Sequence, residues 1–134
     1  MRLAARVLCA ALALLVLGAG PAAARLYETP ASVGLPADQV QLSVECAARI
    51  MILKDWADAG RSTGFETSAI DAAGRGWIPA AIHGLVGQGQ STQAAEGKVL
   101  DRSDAIEAEM RSGGAEKSLF GMRTIFCVRH PPAV

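Results

Sequence analysis

The chain has 134 residues with 13 basic and 13 acidic side chains, so its formal net charge is zero. That balance excludes the basic footprint of a nucleic-acid binder and of a protein held on anionic membrane by charge. The length predicts one domain, and 51% hydrophobic residues supply enough apolar surface for a core.

The first 24 residues read as a secretory signal peptide. Arg2 and Arg6 give a positive start, Val7 to Leu17 is an unbroken apolar run, and Gly18-Ala19-Gly20-Pro21 breaks it before the small residues Ala22-Ala23-Ala24. Cleavage after Ala24 leaves 110 of the 134 residues, with 11 basic against 13 acidic side chains and a net charge of −2. Cleavage also removes Cys9 and leaves Cys46 and Cys127 as an even pair in an oxidising compartment. The expected location is therefore periplasmic or extracellular, with no membrane attachment after cleavage.

Residues 25–35 (RLYETPASVGL) hold Pro30 and Gly34 and no sustained period, and read as a flexible lead-in to a single helical domain over 36–134. The first helix begins at Pro36-Ala37-Asp38, where proline suits a first turn and a carboxylate suits the positive end of the helix dipole. Leu42, Cys46, Ile50, Leu53 and Ala57 then recur at helical spacing along one face. Glu45, Arg49, Lys54, Asp55 and Asp58 are assigned to water, with Glu45 and Arg49 as an i,i+4 pair and Gly60 as the C-terminal cap.

Glu66 to Ala73 predicts a short second helix that Gly74-Arg75-Gly76 weakens. A third short helix is expected from Pro79 to Val86, ended by the glycines of Gly87-Gln88-Gly89. A fourth runs from about Thr92 to Arg111, with Asp101 to Asp104 as a conceivable break capped by Ser103. Glu116 to Arg129 fits both a helical face and, over Thr124 to Val128, a buried strand; with no partner strand in the chain, helix is the expectation. The fold class predicted is thus all-α, a small bundle of four to five helices stapled by one Cys46–Cys127 disulfide.

Chemistry is sparse. Motifs for zinc proteases, serine hydrolases, haem attachment and phosphate-binding loops do not occur, and no metal or cofactor is expected. His83, in the apolar stretch AAIHGLV, is a weak candidate base or ligand contact, and His130 precedes two prolines near the end of the chain. The carboxylate pairs Asp55 with Asp58 and Asp101 with Asp104 are interleaved with Lys or Arg and read as solvated faces. Trp77, read as part of a glycine-rich turn beside Arg75, is a candidate anchor for a partner, whereas Trp56 reads as core.

In general layout the chain resembles small periplasmic helical proteins held by one disulfide, a group that includes acid-stress chaperones. The resemblance covers architecture and rests on no shared motif. The function expected from the sequence is a non-enzymatic interaction module (an inhibitor, adaptor or assembly subunit) acting on another extracytoplasmic protein. An acid-responsive chaperone is the alternative, and a small hydrolase or ligand-binding protein using His83 comes third.

Overall fold

The computed structural model describes residues 28–134. The signal-peptide assignment, and the start of the lead-in, lie outside the described residues. Four α-helices follow a short 3-10 turn at Pro30–Val33: α1, Gln39–Asp58; α2, Thr67–Gly87; α3, Thr92–Ser112; and α4, Glu116–Arg129. The all-α reading holds, and so does the Cys46–Cys127 disulfide, which joins α1 to α4 with Cα atoms 5.2 Å apart.

Local sequence signals set most helix ends. The Asp38 carboxylate accepts from the Gln41 amide at 2.9 Å, and the Ser91 hydroxyl accepts from the Ala94 amide at 3.1 Å, so each satisfies a donor orphaned at a helix start. At the end of α1, the Gly60 amide donates to the Ala57 carbonyl and the Arg61 amide to the Trp56 carbonyl, a Schellman closure with Gly60 at φ 74°.

The central element is α1, which packs against all three other helices. It buries Leu42, Val44, Cys46, Ala47, Ala48, Ile50, Ile52 and Leu53 around nearly its whole circumference, instead of along one stripe. The core divides into a larger cluster around Ile50, Trp77 and the disulfide, and a smaller one formed by Ala48, Ile52, Ile106 and Phe120.

Two expectations are corrected and one open alternative is settled. First, the two short helices expected between Glu66 and Val86 are one helix, α2, with Pro79 inside it. The glycines that read as breakers are instead points of close packing: a Cβ on Gly76 would lie 2.9 Å from the Pro132 carbonyl oxygen, and one on Gly74 would lie 3.0 Å from the Lys54 side chain. Second, Asp101 to Asp104 runs through α3 unbroken, and the Ser103 hydroxyl donates to the Ala48 carbonyl of α1 at 3.1 Å. Third, part of the lead-in is built into the core. Val33 and Leu35 are buried, and Arg123 of α4 donates to the carbonyls of Val33 (3.0 Å) and Gly34 (3.1 Å).

Candidate functional site: an aromatic cleft at the end of helix α1

The residues singled out in the sequence are placed as follows. Trp77 is 2% exposed in the middle of α2, and its indole N–H donates to the Cys127 carbonyl at 2.6 Å. The turn expected around it does not form, and its ring is buried in the core. Arg75, two residues away, is exposed on the opposite side of the helix. His83 is exposed in the last turns of α2 and lines none of the four clefts described below. Cys127 is committed to the disulfide with Cys46, and His130 follows the end of α4. No group of three or more His, Cys, Asp or Glu side chains could hold a metal ion among the described residues.

Arg49, expected in water, is fully buried. Its guanidinium donates to Glu45, one turn earlier, and to Glu116 in the first turn of α4, which is also fully buried. Arg123 donates to the same Glu116 oxygen. Arg102 of α3 grips Glu45 through both carboxylate oxygens, at 2.7 and 3.3 Å. This node ties α1, α3 and α4 together.

Burial works against the Glu45 carboxylate, yet the hydrogen bonds and charges of Arg102 and Arg49 outweigh it, so its pKa lies below the ordinary carboxylate value. For Arg49 burial is the stronger influence and lowers its pKa despite Glu45 and Glu116. Burial opposes the charge of Arg102 too, but its bonds to Glu45 and the charges of Glu45, Glu109 and Glu116 raise its pKa. The node couples its cations to carboxylates on neighbouring elements, which is the arrangement of a structural clasp.

The grooved end of the bundle differs in chemistry. The Schellman closure that stops α1 brings Arg61 back over the Trp56 ring, 4.3 Å from its centroid. The chain then turns again: the Phe65 amide donates to the Thr63 hydroxyl at 3.2 Å, with Gly64 at φ 78°. Trp56 and Phe65 thereby meet α4, where Phe120 packs on Trp56 with ring centroids 5.5 Å apart.

Between these elements lies a cleft of about 490 Å³, lined by Leu53, Trp56, Phe65, Phe120, Thr124 and Ile125, with Arg129 its charged residue. Two more depressions adjoin it. One, of about 510 Å³, runs along the α1–α2 loop past Arg61 and Phe65; the other, of about 330 Å³, lies between Trp56, Arg61, Met110 and Arg111. A fourth cleft, of about 470 Å³, has Val40, Val44 and Leu85 along its lining and opens between Lys98, Asp101 and the Glu45–Arg102 pair.

Two features set the aromatic cleft apart. A Cβ on Gly121, in α4 at its edge, would meet nothing within 4 Å, so the cleft is open space there. Thr124, 1% exposed, has a hydroxyl with no hydrogen-bond partner. In volume and in its mostly apolar lining with few polar groups, the cleft matches small-molecule and side-chain binding sites. Trp56, expected to fill core at an end of the bundle, does pack against both core clusters and also lines the cleft. The available signal was that three of the six aromatics, Trp56, Phe65 and Phe120, flank helix ends and loops.

The chain matches no protein-family model, no curated protein and no solved structure.

Proposed function

We propose that this protein is an exported, non-enzymatic interaction module: a disulfide-stapled helical bundle that presents the grooved face around Trp56 and Phe65 to another extracytoplasmic protein. The observation that carries this reading is the adjacency of three depressions, with Trp56, Arg61, Thr63, Gly64 and Phe65 each lining two of them. Tryptophan and arginine concentrate binding energy at interfaces, because each combines a large contact area with a polar end. Here they stand on backbone fixed by a Schellman closure and a threonine turn, which limits the ordering cost of binding. The cleft's lining of apolar, aromatic, hydroxyl and guanidinium groups suits holding a ligand by contact and hydrogen bond. Export is supported by the leader pattern over residues 1–24, and the disulfide is consistent with an oxidising, extracytoplasmic location.

The test blocks the cleft without disturbing the fold. Gly121→Leu places a side chain in open space at the cleft's edge, on a helix that gains propensity from losing glycine. Affinity capture from the exported fraction is expected to yield a stoichiometric partner with the native protein and none with Gly121→Leu. A partner retained equally by both would remove the cleft from the interface.

A second reading, an acid-responsive chaperone, is favoured by one observation: Glu45 is held ionised between Arg49 and Arg102 at the junction of α1 and α3. Protonating it leaves buried Arg49 with fewer counter-charges and loosens that junction. Protection of a client against aggregation only below about pH 4, near carboxylate pKa values, would support this reading. Equal protection at pH 7 and pH 3 would count against it.

A further inference from the structure

We infer that the aromatic cleft takes a tyrosyl side chain on an exposed segment of the partner, with an acidic group of the same segment meeting Arg129. The inference rests on the interaction reading above and narrows it to one kind of occupant.

Three observations converge. The lining includes three aromatic residues, Trp56, Phe65 and Phe120, an apolar surround that suits a flat aromatic guest. Thr124, in the lining, leaves a buried hydroxyl unpartnered, a condition that costs free energy until something hydrogen-bonds it. A phenol both donates and accepts, so it matches a threonine hydroxyl whichever way the proton points, whereas an indole only donates and a phenyl ring does neither. Side-chain rotations of the size common on binding bring such a polar tip within reach of an atom now closed to bulk water. Finally, Arg129 carries the one charge in the lining and engages none of the described carboxylates. No acidic side chain in the lining offsets it, so the complementary guest carries a negative charge at the rim.

The probes are N-acetyltyrosinate, N-acetylphenylalaninate and the uncharged N-acetyltyrosine amide, titrated into the disulfide-intact protein and followed by backbone amide shifts. The tyrosine acid is expected to move the amides around Phe65, Gly121 and Thr124, and to bind about two- to tenfold more tightly than the phenylalanine acid, the value of one hydrogen bond. Thr124→Val keeps the shape and removes the hydroxyl, so the preference should vanish; Thr124→Ser should keep it. Arg129→Gln should weaken both acids alike and leave the amide probe unchanged.

Equal binding of the two acids to the native protein would overturn the inference. So would a tyrosine preference that survives Thr124→Val, or the absence of shifts at the cleft. Shifts at the same amides on concentrating the protein alone would assign the cleft to a second copy. Shifts caused by Tyr27→Phe without any probe would assign it to this chain's own Tyr27-Glu28 segment. Either outcome overturns the partner assignment. If Gly121→Leu abolishes partner capture while the probes show no tyrosine preference, the interaction reading stands and the tyrosyl inference alone fails.

Discussion

Helix α4 serves two regions of opposite character. At its start, Glu116 and Arg123 enter a charged node with Arg49, Glu45 and Arg102, in which these cations meet carboxylates and the central pair is sealed from water. Further along its other side, Phe120, Gly121, Thr124 and Ile125 line an open cleft in which the Thr63 hydroxyl bonds the Phe65 backbone, while Thr124 and Arg129 have no described side-chain partner. Charge density alone would point to the node as the functional centre. Openness points the other way: the node's charges are spent on one another inside the fold, even though Arg49 Nε and Glu116 Oε2 find no partner there, whereas the unpartnered Thr124 hydroxyl belongs to a residue that lines open space.

The comparison can be broken most forcefully at the node. Glu116→Ala strips the buried Arg49 of one counter-charge and should cost about 3–5 kcal/mol, a large part of a typical total of about 5–15 kcal/mol. Urea unfolding measures it; a loss below about 1 kcal/mol would show that the node is not the clasp described. Trp77→Phe leaves the Cys127 carbonyl without its indole donor and should cost about 1–3 kcal/mol, read in the same way.

Glu45→Gln is smaller because Glu45 is 18% exposed, and about 1–2 kcal/mol is expected at pH 7 after allowing for solvent screening. Its pH dependence is specific. The native pKa of Glu45 lies below its unfolded value, so its contribution is complete above the unfolded pKa near about 4.3 and is lost as pH falls through the native one. The stability difference between native protein and Glu45→Gln should therefore shrink toward zero in acid. A difference independent of pH between 7 and 3 would contradict that. The smallest effect belongs to the cleft: Gly121→Ala should stabilise by about 0.5–1 kcal/mol, through helix propensity alone, in a thermal melt.

The parts of the molecule written in local sequence were legible, and those written in distant contacts were not. Asp38 and Gly60 mark their helix ends because caps act within a few residues. The disulfide followed from there being two cysteines left after the leader, and the last helix followed from the lack of any strand to pair with it. Arg49 was misplaced because its partner Glu116 is 67 positions away. Still, a signal existed: Arg49 stands among apolar residues on every side of α1, where no face remained to carry it to water. Gly74 and Gly76 read as helix breakers because propensity sees the missing side chain, whereas packing uses the space it leaves. The cleft comes from three separate segments, α1, the following loop and α4, and no short motif could announce it.

The most direct test of the central claim, that the cleft and not the charged node is the working surface, is site-specific photo-crosslinking in the exported fraction. A photoreactive residue at Ile125, 37% exposed at the cleft, is compared with one at Leu100, 50% exposed on α3 and outside the cleft. Binding at the cleft predicts a discrete crosslinked partner at position 125, lost when Gly121→Leu is added, and none at position 100. A partner captured at Leu100 and absent at Ile125, or unaffected by Gly121→Leu, would contradict it.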